Sequence, residues 1–369
     1  MSNLTETAAA TKKLGLFLII AGIVYIVFVF TSGVVKSFWS AGHPPPKPGP
    51  EIRFGQLTPL HLVGLKMVEG NSPEYILETL SGNLPSFPET AKVYALIPFP
   101  TSLLYEDHAK SLAVSLGFLN PPERLTKLEY LWINENEARL TMHLVTENFK
   151  LRANPDKLNF RPGQLTTASQ AINQAQVFFG NKGLLERSFT GSSQTVTFLT
   201  RREGRLVKAS SPETAEVSRV DYFRFLTEGA DKFPLLGQNP KKGITRIYLL
   251  DNSNNYFAAD FNEWLFETKN GSTYPLKSVN EAWNELISGQ GYIVYLSLLE
   301  ETDADNPGPL PSLKTITIRE VSLAYYDDEN MQNFLQPIYV FKGEAELTTG
   351  GKSDLTAYVP AIPKSLVVE

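Results

Sequence analysis

Residues Lys314 to Gly343 read KTITIREVSLAYYDDENMQNFLQPIYVFKG, and they carry more information about fold class than any other part of the chain. Their apolar side chains alternate in two phases. Ile316 and Ile318 keep one step, Val321, Leu323 and Tyr325 keep the next, and a shift of one position near Arg319 and Glu320 separates them. Alternation with period two is the mark of a strand, and a β-bulge changes its phase without ending it. QPIYVFKG then places Ile338 and Val340 on one face and Tyr339 and Phe341 on the other. A strand apolar on both faces is covered on both sides or offers one face to a partner. Asp327 and Asp328 fall in the connection, where turn chemistry accounts for them better than catalysis does. DLTAYVPAI, Asp354 to Ile362, supplies a closing strand.

Upstream of this segment, short helices alternate with strands. LYEDHAKSLAVSLGF, Leu104 to Phe118, spaces Ala109, Leu112, Ala113 and Leu116 for one helical face and offers Gly117 as a stop. Leu128 to Thr146 alternates on either side of Asn134 to Asn136, as a hairpin with one covered face requires. A break at Pro155, Pro162 and Gly163 follows. A second helix begins after Thr166 or Thr167 as cap, with Ala171, Ala175 and Phe178 on one face and Gly180 at its end. QTVTFLTRREGRLVKA turns at Glu203 and Gly204, and Val220 to Leu226, ITRIYLL and NYFAADF extend the run of strands. Ser278 with Glu281 forms a capping box for a third helix, whose inward face is Ala282, Trp283 and Leu286 and whose stop is Gly289. A short amphipathic helix must bury its stripe, and the nearest cover is the hairpin that follows it. The expected fold is therefore α+β, an array of repeated helix-plus-antiparallel-sheet modules: 60–163, 164–273 and 274–369.

The N-terminal part reads differently. LGLFLIIAGIVYIVFVFTSGVV, Leu14 to Val35, contains no charged residue and is long enough as a helix to cross a bilayer. It predicts one transmembrane helix after a cytoplasmic tail, 1–13, with a cleaved signal peptide as the competing reading. Lys12 and Lys13 before it against Lys36 after it favour a cytoplasmic N-terminus. A proline-rich spacer, 36–59, would then hold an extracytoplasmic body off the cell membrane.

Composition excludes several chemistries. With 34 basic and 39 acidic residues the net charge is −5, so no global positive field exists to collect nucleic acid. The absence of cysteine removes disulfides, thiolate catalysis and Cys-based metal sites. The four histidines, His43, His61, His108 and His143, have no metal-ligand spacing, and no nucleophile elbow, zinc-protease or phosphate-loop motif occurs. DNSNNYFAADFN, from Asp251, fails as a calcium loop because Tyr256 and Asn262 stand where Gly and Glu are needed. EETDADNPGP, with Asp303 and Asp305, reads first as an exposed turn. FNEWLFE brings Glu263 and Glu267 to either side of Trp264, a carboxylate pair that more simply flanks a packed Trp. No cofactor or catalytic residue is expected.

The sequence YPLKSVNEAWNELISGQGY, then ITIREVSLAYYDD, LQPIYVFKG and LTAYVPAI resembles the membrane-anchored YycH and YycI regulatory proteins, whose extracytoplasmic modules are related in style to PepSY domains. Ala282, Gly289, Gly291, Tyr325, Tyr326, Pro337, Tyr339, Phe341 and Tyr358 hold the matching places, over Tyr274 to Ile362. The resemblance implies a non-enzymatic protein that associates with a sensor histidine kinase and biases its signalling. The partner surface expected on that reading is Tyr325, Tyr326, Tyr339 and Phe341, residue types that interfaces favour, although plain core packing explains the same pattern more simply. The alternatives are a structural or assembly component of the envelope or a secretion apparatus, which would form a stoichiometric homo-oligomer, and a wall-directed hydrolase.

Overall fold

The computed structural model describes residues 49–68, 70–99, 102–165, 167–185, 191–250, 255–300 and 308–368. In chain order the strands begin with β1 (Glu74–Leu77), β2 (Thr90–Ala95), β3 (Glu123–Arg124), β4 (Glu129–Ile133), β5 (Arg139–His143) and β6 (Phe149–Arg152). They continue with β7 (Ser193–Arg202), β8 (Arg205–Lys208), β9 (Val217–Phe223), β10 (Phe225–Glu228), β11 (Asp231–Leu236) and β12 (Thr245–Leu249). The last six are β13 (Tyr256–Phe261), β14 (Ser272–Pro275), β15 (Tyr292–Leu296), β16 (Leu313–Tyr326), β17 (Phe334–Leu347) and β18 (Lys352–Pro360). Among the described residues the α-helices are α1 (Tyr105–Ser115), α2 (Ala168–Gly180), α3 (Val279–Ile287) and the one-turn α4 (Ser297–Glu300).

The strands form two sheets of nine. The first is antiparallel throughout, in the order β3-β4-β5-β6-β13-β12-β9-β7-β8. The second runs β10-β11-β16-β17-β18-β15, with β1 parallel to β16 and the β2–β14 pair attached through β17. The long β16–β17 hairpin is its centre. The register shifts between Ile318 and Glu320, where the change of phase predicts a bulge. Gly343 stands opposite, and a Cβ there would lie 1.9 Å from the Thr317 carbonyl oxygen, so the bulge needs glycine at that place.

Two of the helices, α2 and α3, start where their caps predict. Thr167 Oγ1 accepts from Gln170 N–H, and Ser278 and Glu281 form the reciprocal capping box. Gly117 (φ +88°) and Gly289 (φ +78°) follow α1 and α3 in the left-handed region that stops a helix. α1 and α2 both bury their apolar stripes in one core, Ala109, Leu112 and Ala113 from α1 with Ala171, Ala175, Phe178 and Phe179 from α2, against Leu140, Leu151, Val220 and Phe261. α3 packs Ala282 and Leu286 against the second sheet.

Two expectations need correction. The α+β array of repeated helix-plus-antiparallel-sheet modules is not what forms: the fold is mostly β. Local hairpins form as the alternation predicts, but their outer edges then pair with strands far away in sequence. β6 pairs with β13, so α1 and α2 share one sheet instead of each covering its own. The second correction concerns placement in the cell membrane. The Leu14–Val35 segment and its tail lie outside the described residues, and among the described residues no helix is long and apolar enough to cross a membrane. No described element supports the single-pass, extracytoplasmic placement.

Candidate functional site

The expected aromatic surface is inside the molecule. Tyr325, Tyr326, Tyr339 and Phe341 are each exposed by 1% or less. Both faces of the β16–β17 hairpin are covered, so each ring meets another part of the chain. The Tyr325 hydroxyl donates to the Lys92 carbonyl at 2.8 Å, Tyr326 to the His61 carbonyl at 2.9 Å and Tyr339 to the Lys277 carbonyl at 2.8 Å, while Phe341 packs beside Trp283. Burial, and then the Glu281 carboxylate, pushes the Tyr339 phenol up to about 12. These contacts hold the core together and leave none of the four rings on the surface.

The acidic turn after β16 also points inward. Asp327 accepts from Arg224 at 2.7 Å, and the Trp264 indole N–H donates to the Asp328 carbonyl at 2.9 Å. Glu329 accepts from Arg246 at 2.6 Å, and Arg246 also meets Asp260, which pairs in turn with Arg152. Burial works against the Arg246 charge, but Asp260 and Glu329 together raise its pKa well above the ordinary value. This ionic seam joins the end of β16 in the second sheet to β6, β12 and β13 in the first. Trp264 is packed as its sequence context predicts, at 8% exposure, with Glu263 buried and Glu267 half-buried beside it.

Two of the hollows formed by the described residues are candidate sites. The smaller, about 400 Å³, lies between α1, the β5–β6 turn and the end of α2, and is lined by His108, Glu147, Lys182, Phe261 and Glu263 among others. Burial lowers the Lys182 pKa, and its ammonium sits 4.4 Å from the Phe178 ring centroid. The larger, about 770 Å³, is a cleft where the two sheets meet. One wall is β7 with the segment after β8; the other comes from β10, β11, β15 and β18, including Phe225, Leu236, Tyr295 and Asp354. A single residue, Arg224, separates β9 in one sheet from β10 in the other, and its neighbours Phe223 and Phe225 both line the cleft.

The backbone of β7 is the distinctive feature of this cleft. β7 pairs with β9 from Ser193 to Leu199, but with β8 only from Leu199 to Arg202. The Ala209 N–H donates to the Phe198 carbonyl and the Glu216 N–H to the Leu199 carbonyl, so even-numbered residues direct their backbone groups toward the β8 side. On that side Gln194 and Val196 have no backbone partner among the described residues. Among the described residues, half of this ten-residue strand is thus an open edge facing the cleft. Sequence reasoning placed the β7–β8 hairpin correctly but missed this edge. The signal was present: an eight-residue uncharged run, SQTVTFLT, precedes the turn, whereas only RLVK follows before the pattern ends.

The Asp251 loop and the Asp303–Asp305 turn lie outside the described residues in whole or in the part that matters. Among the described residues no group of three or more His, Asp or Glu side chains is arranged to hold a metal ion.

No protein-family model matches the chain, and no curated protein matches it. Among solved structures, an uncharacterized protein from Eubacterium rectale ATCC 33656 matches at 12% identity and a TM-score of 0.39, over 73% of this chain and 83% of that one. A likeness of that size carries no argument about function.

Proposed function

We propose that this body is a non-catalytic binding module which holds a partner protein in the cleft between its two sheets and biases the partner's state through contacts made in only one of its conformations. The observation that supports this reading is the lining of the cleft. It combines hydroxyls and apolar rings with an open strand edge, and among the described residues its one carboxylate is Asp354. Two carboxylates flanking a cleft are what glycoside hydrolysis uses, so the lining suits adhesion better than hydrolysis. The sensor histidine kinase implied by the resemblance over Tyr274 to Ile362 is the first partner to test.

The test is photocrosslinking in the native cell from a probe residue at Thr195, in the cleft, compared with one at Leu103, a fully exposed position before α1. A discrete heterologous adduct from Thr195 and none from Leu103 is expected. Adducts chiefly with a second copy of the chain would favour the assembly-component reading, and equal labelling from both positions would overturn the cleft as the site.

A further inference from the structure

We infer that the open edge of β7 receives an acidic, extended segment of the partner as an added β-strand, hydrogen-bonded to the backbone of Gln194 and Val196. The inference rests on the binding-module reading and specifies how the partner is held.

Exposed strand edges invite pairing, and proteins ordinarily blunt them with charge, proline or a bulge. This edge has none of the three. Ser193 to Thr200 contains no charged residue and no proline, and its register with β9 is unbroken. β8 stops after covering four residues, and the chain then crosses β7 to reach β9 on the far side, which leaves the edge uncovered by any described residue where the cleft begins. An edge kept open beside a cavity of this size is what strand addition requires: main-chain bonds supply affinity and the cavity walls read alternate side chains.

Charge selects the partner segment. Lys208 and Lys241 both line the cleft, and neither is in a salt bridge among the described residues. Against these two cations the lining offers, among the described residues, one carboxylate, Asp354. An incoming strand with acidic residues at alternate positions complements that excess; a basic one is repelled.

The experiment uses the full chain and a labelled, capped hexapeptide of alternating Glu and Val as probe, read by fluorescence anisotropy and by hydrogen exchange. Binding should slow exchange of the Gln194 and Val196 amides. It should weaken at least about fivefold when alternate peptide amides of the probe are N-methylated, and by a similar factor in Val196→Pro, since each removes a main-chain hydrogen bond. Val196→Pro takes away an N–H that faces the open edge and leaves the bonds to β9 in place. Lys208→Glu with Lys241→Glu gives a second variant that does not touch the backbone, and should reverse the preference toward the Lys-Val version of the peptide. Failure of the probe to bind, or binding with no change at the two amides, overturns the inference. A Thr195 crosslink to the partner that persists unchanged in Val196→Pro would sink strand addition while leaving the cleft as a binding site; loss of both would sink the two together.

Discussion

The Arg224 guanidinium donates to the Asp327 carboxylate at 2.7 Å with both side chains almost wholly buried, and this pair ties the link between the two sheets to the turn that ends β16. Arg224 is the residue at which the chain passes from β9 to β10; Asp327 begins the acidic turn. Burial pushes the Asp327 carboxyl up, against the pull of Arg224. A buried pair of this kind stabilises little over an apolar replacement, but breaking it strands a charge. Asp327→Ala is therefore expected to cost about 3–5 kcal/mol, more than Arg224→Leu with Asp327→Leu together. Urea denaturation of the three variants checks the order; equal losses would contradict it.

The bulge makes a second prediction. Gly343→Ala places a methyl group against the Thr317 carbonyl, which belongs to backbone and cannot swing away. Such overpacking costs about 1–3 kcal/mol, and here the register of the central hairpin absorbs it. Gly308, which has open space around its Cβ position, is the control and should tolerate alanine with a change within about 0.5 kcal/mol. Chemical denaturation of both variants is the check.

These two sites show what could be read in advance. The bulge was legible because a bulge shifts the phase of alternation, and Ile316, Ile318, Val321 and Leu323 record that shift in the chain itself. The caps at Thr167 and Ser278 were legible for the same reason, since they depend on neighbours three residues away. The pairing of β6 with β13 and the parallel contact of β11 with β16 were not legible, because nothing local specifies which hairpin edge meets which. The ionic seam was hidden by that same distance: Asp327 looks like a turn residue until Arg224, 103 positions earlier, is brought beside it. The open edge of β7 lay between the two cases, visible as a mismatch in strand length but meaningful only once the second sheet stands opposite it.

The tyrosines give a third prediction. Tyr339→Phe removes the bond to the Lys277 carbonyl and leaves that acceptor to be satisfied otherwise, at a cost of about 1 kcal/mol. Tyr325→Phe and Tyr326→Phe should behave alike, and none of the three should change crosslinking from Thr195. A loss of partner contact without loss of stability would return these rings to the interface.

A fourth concerns pH. His143 Nδ1 accepts from the Thr146 N–H at 3.3 Å, which requires the nitrogen unprotonated. Burial lowers the His143 pKa, with Glu129 pulling the other way. The unfolded chain then takes up the proton first as pH falls below 6.5, so the stability this histidine contributes is present above that value and is lost as pH falls through its lowered folded pKa. In His143→Gln that portion of the pH dependence should vanish. NMR titration of the imidazole together with denaturation at several pH values tests it; a folded pKa at or above 6.5 would contradict the assignment.

The most direct test of the account as a whole is to fill the cleft. Thr195 is exposed and lies on the cleft wall, so Thr195→Trp adds bulk there without entering either core. The measurement is the affinity of the full chain for the partner captured by the Thr195 crosslink, in wild type and in Thr195→Trp, with denaturation midpoints taken alongside. The account predicts a loss of at least about tenfold in affinity, a free energy of about 1.4 kcal/mol, at unchanged stability. An affinity unchanged by the tryptophan would show that the partner binds elsewhere and that the cleft is not the working surface of this protein.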